Sequence, residues 1–475
     1  FTGAVTVQGN FSADGGTIKL DGNYPVGTGN VALGDTALDS LTSGGNNTAV
    51  GTEALTSNAS GNANTAMGRA VLNSTTGSQN SGFGSLALYD NTSGQYNTAL
   101  GAEALTNNTT ASNNTAVGYQ AGYANTTGTF NSMFGQEALS TNTTGSYNSA
   151  FGNLALEKNT TANSNTGIGY KALFANTTGA SNTTVGTNSL DANTTGSNNV
   201  AMGQSALGTS TTGSNNTALG ANSLVSNTTA SDNTAVGSVA LYYNTTGSEN
   251  VALGRSALAA NTTASHGTAV GREALNVNTT GAENSAFGSG ALVNNTTGSN
   301  NVGLGRYALA LNTTASNNTA VGYQAGYNNT TALANTFVGK AAGYSNTTGD
   351  QHTALGQNAL FSNNTGDSNT ALGSDSMYTN TTGHGSVAIG RGALYYNTSG
   401  INNIAIGPYS AASATAALFS NTTGSYNIAL GKGALHSNTT ASNNTAVGYK
   451  AGFSNTTGDG NAAFGYQAFL DNTTG

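Results

Sequence analysis

The sequence predicts an all-β fold, a parallel β-solenoid or β-roll of about 26 coils with a 17-residue repeat. Three observations predict it. A glycine preceded by Val, Leu, Ile, Met or Phe recurs 26 times from Gly34 to Gly465, and 23 of the 25 intervals are 17 residues long. The run before that glycine is short and β-forming, as in Thr115-Ala116-Val117, and a second apolar point follows it at a fixed distance, as in Ala138-Leu139. The remaining N-T-T-G and S-N-N segments have the composition of turns. Length alone would suggest about three domains, but a fixed period means one structural unit stacked many times. Helical repeats need roughly 30 residues and leucine-rich repeats at least ~20, so 17 residues fit one solenoid coil of two short strands and two turns.

Taken in order, residues 1–30 precede the repeat. Ala4-Val5-Thr6-Val7 and Thr17-Ile18-Lys19-Leu20 read there as short strands of a cap or connector. Residues 31–475 form the repeat. In each unit T-A-V is the clearer strand, the glycine makes a bend, Ala-Leu supplies the second strand, and the Asn-Thr segments turn the chain. Asn and Thr side chains can bond along the stack, as amide ladders do in other stacked β structures. One interval is 16 residues (Gly68 to Gly84) and one is 24 (Gly407 to Gly431). The seven extra residues of the latter, near 408–417, predict a protruding loop. At ~4.8 Å per coil, 26 coils give a rod of roughly 125 Å.

The columns vary in an informative way. Leu is replaced by glycine at Gly122, Gly326, Gly343 and Gly452, and each time an aromatic follows (Tyr123, Tyr327, Tyr344, Phe453). Close packing predicts that this ring swings inward to fill the lost volume. The turn glycine of N-T-T-G becomes alanine in seven units, including Ala111 and Ala230, so that turn does not demand positive φ.

Energetics suggest association. Ordering each residue costs roughly 1–2 kcal/mol of backbone entropy, and the two large apolar side chains of a coil return only about 1.5–3 kcal/mol each. Ladders between coils must supply much of the rest. Successive strand residues face opposite sides, so the Val side is expected to fill the interior while the Ala side allows close approach of another surface. A homo-oligomer follows as the expectation, most simply a trimer.

Composition narrows the function. Only 6% of the 475 residues are charged, with 11 Lys+Arg against 19 Asp+Glu and a net charge of −8. There is no basic patch to neutralise phosphates, so nucleic acid is not an expected partner. No apolar run reaches the ~20 residues of a membrane span, so membrane insertion is not expected. The absence of Cys removes disulfides, thiolate catalysis and Cys-ligated zinc together.

Candidate sites are few. His266, His352, His384 and His436 fall at different places in the unit, and neither a catalytic triad nor a metal spacing emerges. Asp232 and Glu249 share a column, as do Asp350 and Asp367; such pairs can hold a cation or work as acid and base, but are more commonly solvated charges on a turn. No catalytic, cofactor-binding or metal residue is assigned, no cofactor is expected, and the chain is read as not an enzyme. Arg69, Arg255, Arg272, Arg306, Lys340, Arg391 and Lys432 directly follow an anchor glycine, with Glu53, Glu103, Glu137 and Glu273 one place later. This marks a solvent-facing corner where Arg255 can pair with Glu273 across coils. Asparagine sequons recur at one turn, as at Asn125, Asn142, Asn176, Asn244, Asn346 and Asn455. Dense N-glycosylation and local Asn-Thr turn bonding both account for them, although a glycan on every coil at ~4.8 Å spacing is tight. Tyr119, Tyr170, Tyr323, Tyr449 and Tyr466 recur beside the anchors and suit either sugar stacking or cover of the corner. The paired Thr residues of N-T-T are adjacent and would point to opposite faces, which weakens a flat ice-binding array.

The unit N-N-T-A-V-G-Y-Q-A-L-x-x-N-T-T-G-S resembles repeats of phage tail-fibre-like proteins and bacterial surface fibres. The opening run from Gly16 to Pro25 is similar to the segment preceding such repeats in tail-fibre-like proteins of marine phages. The T-A-V-G strand is also similar to the S-V-A-I-G strand of trimeric autotransporter adhesin heads, whose three chains form left-handed parallel β-rolls on a shorter repeat. The resemblance implies a trimeric, extracellular, non-catalytic fibre on a virion or cell surface. It would be a shaft holding an attachment end that meets a cell-surface glycan or receptor. Few Lys and Arg leave few tryptic sites, which suits exposure outside a cell. The chain stops in mid-unit at Gly475 and reads as a segment of a longer fibre. The alternative is a self-assembling surface or biofilm filament, with an ice-binding solenoid and a polysaccharide-degrading tailspike behind it.

Overall fold

The computed structural model describes residues 28–407 and 415–474. The cap expected at 1–30 lies almost entirely outside the described residues, as does most of the loop expected at 408–417. Contacts divide the chain after Asn216 into two compact units. The first holds eleven three-residue strands, from Val31–Leu33 to Val200–Met202; the second holds fifteen, from Thr217–Leu219 to Ala462–Phe464. Each unit is a parallel β-solenoid with one strand per coil, and no helix occurs among the described residues. Within each unit every strand pairs in parallel with the next, residue for residue: Thr115 faces Ser132 and Val117 faces Phe134 in the first, Thr268 faces Ser285 in the second.

The second strand expected at Ala-Leu is absent. That stretch is a series of turns in which two residues per coil take left-handed φ, as at Glu103 (+58°) and Leu105 (+52°). Such φ values disfavour L residues. They persist because the stack holds them: Leu105 N–H donates to the Ala121 carbonyl one coil on (3.0 Å), and Asn108 N–H closes back on Leu105 (3.1 Å).

The strand faces are the reverse of the expected ones. The middle residue, Ala in most coils, points inward and is fully buried, as at Ala49, Ala116, Ala235 and Ala446. The flanking Thr and the large apolar residue point outward. The interior is narrow. Leu at the second apolar point, such as Leu105 or Leu139, fills it from the opposite wall and leaves room for a small side chain, usually Ala. Where Thr184 takes the inward place, its hydroxyl donates to the Thr166 carbonyl (3.2 Å), which satisfies the buried oxygen.

Three of the four Leu-to-Gly coils, those of Gly122, Gly326 and Gly343, are compensated by the strand and not by the following aromatic; at Gly452 the nearest side chains are Leu435 and Ala446. Met133 and Phe337 stand at inward positions normally held by Ala, and both are fully buried. A Cβ at Gly122 would lie 2.6 Å from Met133 Sδ. One at Gly326 or Gly343 would lie 2.8 or 2.3 Å from the Phe337 ring. A single Phe therefore occupies the space of two leucines, one in each neighbouring coil.

The anchor glycine is required by close approach of coils. Gly118 has φ +136°, and a Cβ there would lie 2.5 Å from the Gly135 carbonyl oxygen. The 24-residue interval leaves the stack in register: Ile404 pairs with Ile428, and Leu394 N–H donates to the Ala417 carbonyl (3.1 Å).

Candidate functional site

Two asparagine columns build the polar part of each interior. The turn asparagines include every sequon position named above. Asn125, Asn142, Asn176, Asn244 and Asn346 are fully buried and Asn455 is 2% exposed. In each, Nδ2 donates to Oδ1 of the asparagine one coil before (2.8–3.1 Å) and to the carbonyl three residues on (2.8–3.0 Å). The second column precedes the strand. Asn131 N–H donates to Asn114 Oδ1 (2.9 Å), and Asn131 Nδ2 donates to the Gly145 carbonyl (2.9 Å), which also receives Asn142 Nδ2 (2.9 Å). Both columns thus meet at the turn carbonyl. Of the two accounts of the sequons, side-chain bonding is the one this geometry matches: the nitrogen that would carry a glycan lies inside the coil with its hydrogens in use. In the 16-residue coil Thr75 replaces the turn asparagine, and its hydroxyl oxygen accepts from Asn91 Nδ2 (3.0 Å), so the column continues.

The outward strand position forms an apolar row, one side chain per coil. In the first unit it includes Met67, Leu100, Ile168 and Met202, and in the second Leu219, Leu253, Leu304 and Leu355, all more than a third exposed. The coils have sealed their interiors and still present this row.

The expected corner is present. Arg255 Nη2 lies 3.8 Å from Glu273 Oε1, with Arg255 exposed and Glu273 half-buried, a surface pair worth at most about 1 kcal/mol. Tyr119, Tyr170, Tyr323, Tyr449 and Tyr466 are exposed, and the last two stack at 5.2 Å. The Asp350 and Asp367 column serves the backbone: Asp350 Oδ1 accepts from Leu333 N–H (2.7 Å) and Asp367 Oδ1 from Asp350 N–H (2.9 Å). Glu249 Oε2 lies 3.3 Å from His266 Nε2. Among the described residues no three His, Asp or Glu side chains are grouped to hold a metal, and no helix is long and apolar enough to cross a membrane.

The histidines are dispersed. His352 takes an asparagine's place in the column before the strand. Its N–H donates to Asn335 Oδ1 (2.8 Å), and Nδ1 accepts from Asn369 N–H (3.1 Å). Burial lowers its pKa to about 4. His436 lies between Phe419 and Phe453, with ring centroids at 5.3 and 4.9 Å, and burial lowers its pKa as well.

A feature missed in the sequence reading is an aromatic column in the second unit. Tyr327, Tyr344, Phe361, Tyr378, Tyr395, Phe419, His436 and Phe453 stack in sequence at 4.9–5.3 Å. The signal was one ring five residues past each anchor, but the 24-residue interval hides Phe419 from a strict 17-residue count. Neighbouring rings are within 10° of parallel except Tyr395 and Phe419, which are inclined by 27°. At that step a cavity of about 410 Å³ opens. Its aromatic side is Tyr378, Tyr395, Tyr396 and Phe419, and its polar side is Asn358, Asp375 and Arg391. Asn358, Asp375 and Gly392 are equivalent positions of successive coils, and Gly392 contributes no side chain there.

No family model matches the chain, and no curated protein matches it either.

Proposed function

We propose that the chain is the shaft of a non-catalytic extracellular fibre, assembled from several copies of itself and serving attachment at a virion or cell surface. The observation that carries this reading is the outward apolar row. A folded chain that has buried its own core gains by covering such a row. A partner with the same 17-residue period can seat one side chain per coil at ~4.8 Å spacing along the whole row, whereas a partner of another period loses register within a few coils. A second copy of this chain has that period by construction. Three such faces around a threefold axis cover one another with no row left at an edge, and closed symmetry is the common outcome for soluble homo-oligomers.

Sedimentation equilibrium tests it. A trimer of 46.9 kDa chains should sediment near 141 kDa. Serine at Leu253, Leu304 and Leu355 together should lower that mass while leaving the β circular dichroism intact. A wild-type mass of one chain at micromolar concentration overturns the assembly reading.

A further inference from the structure

We infer that the cavity beside the 24-residue interval is a binding cleft for a neutral sugar ring, so that this stretch of solenoid is itself a binding surface and not only a spacer. The inference does not rest on the fibre reading, because a single chain carries the whole cleft.

The aromatic wall has one ring unlike the rest. Members of the stack use their faces on one another. Tyr396 lies across them, inclined 73° to Tyr395 and 82° to Phe419, with centroid distances of 4.8 and 5.2 Å. Rings meeting edge to edge cannot approach that closely, so Tyr396 lays one face over the edges of both. Tyr396 is 46% exposed and lines the cavity. A flat, half-exposed aromatic face is the surface on which the C–H side of a pyranose packs.

The polar wall is built and held. Asp375 Oδ1 accepts from Asn358 Nδ2 (3.1 Å), Asp375 Oδ2 accepts from the Ser374 hydroxyl (2.9 Å), and Arg391 Nε lies 3.9 Å from that same Oδ2. A carboxylate fixed next to a guanidinium offers acceptors and donors side by side, which vicinal hydroxyls can use together. The volume is that of a small-ligand cleft. Other ligand classes fit less well. A phosphate or polyanionic sugar would meet the Asp375 carboxylate on a chain of net charge −8. A wholly apolar ligand would strip water from Asp375 and Arg391 without replacing it.

The cleft also sits where the repeat is interrupted. Gly392 removes a side chain present one and two coils earlier as Asp375 and Asn358, and the next ring of the column arrives only after the long interval.

Saturation-transfer NMR on the full chain tests the cleft, with the methyl glycosides of glucose, galactose, mannose and N-acetylglucosamine at millimolar concentration. At least one should receive saturation, strongest on the ring C–H protons of one face. Tyr396→Ala and Asp375→Ala should each weaken binding tenfold or more. Tyr243→Ala, which removes the corresponding ring over Tyr242 far from the cleft, should leave it unchanged, and circular dichroism of all three variants should match wild type. No transfer to any glycoside, equal transfer in Tyr396→Ala, or tighter binding of glucuronate than of every neutral glycoside overturns the proposal.

Discussion

Replacing His352 by asparagine should change how stability depends on pH, and the size of the change follows from the geometry. The imidazole stands in a column of asparagines and is 1% exposed. Nδ1 accepts from Asn369 N–H, so the ring proton sits on Nε2, toward the Gly366 carbonyl. A second proton would set Nδ1–H against Asn369 N–H and leave a charge with no water around it. Burial therefore lowers the pKa from 6.5 to about 4. The unfolded chain takes up this proton near 6.5 while the folded chain resists to about 4. Above pH 7 the residue contributes no pH dependence. Between 6.5 and 4 each unit of falling pH costs about 1.4 kcal/mol, and roughly 3 kcal/mol is lost before the curve levels. Asparagine does not titrate and fits the column, as Asn335 and Asn369 show. Solenoids open locally, so the sensitive assay is hydrogen exchange of the amides around 335–369 in both proteins between pH 7.5 and 4. The protection of wild type relative to His352→Asn should fall by about two orders of magnitude over that range. Two curves that stay parallel would refute the assignment of a buried neutral imidazole.

Further expectations rest on other parts of the coil. Asn142→Ala removes donation to Asn125 and Gly145 and leaves buried partners unmet, so local stability should fall by about 2–5 kcal/mol in urea unfolding. Gly118→Ala places a Cβ 2.5 Å from the Gly135 carbonyl oxygen at φ +136°, and its melting temperature should drop more than that of Asn142→Ala. Phe337→Ala should cost about 3–5 kcal/mol, and adding Gly326→Leu and Gly343→Leu should restore most of it by returning the coils to the common Ala-and-Leu packing, checked by thermal unfolding. Secreted from a glycosylating host, the folded chain should carry no glycan on Asn125, Asn142, Asn176, Asn244 or Asn346, which peptide mass spectrometry reads directly.

Sequence by itself determined the fold class, the coil length, the position of the T-A-V strand in each coil and the turn character of N-T-T-G. Each is a consequence of period and local composition, and both are written along the chain. It also placed the Arg255–Glu273 pair, since an offset of one coil plus one residue brings two corner side chains together. Which face of T-A-V turns inward was decided only in three dimensions. A period of two tells that Ala and Val face opposite ways but not which way is in. That depended on Leu105 and its equivalents filling the lumen from the opposite wall. The same volume limit explains why Met133 and Phe337, and not the neighbouring tyrosines, fill three of the glycine coils. Ala-Leu read as a strand because a 17-residue coil suits two short strands and two turns; the stack holds it in left-handed turns that no local propensity favours. The cleft was hidden for a related reason. Phe419 is separated from Tyr395 and Tyr396 by an interval that breaks the count, and only the continued register of the coils around it brings Phe419 against Tyr395.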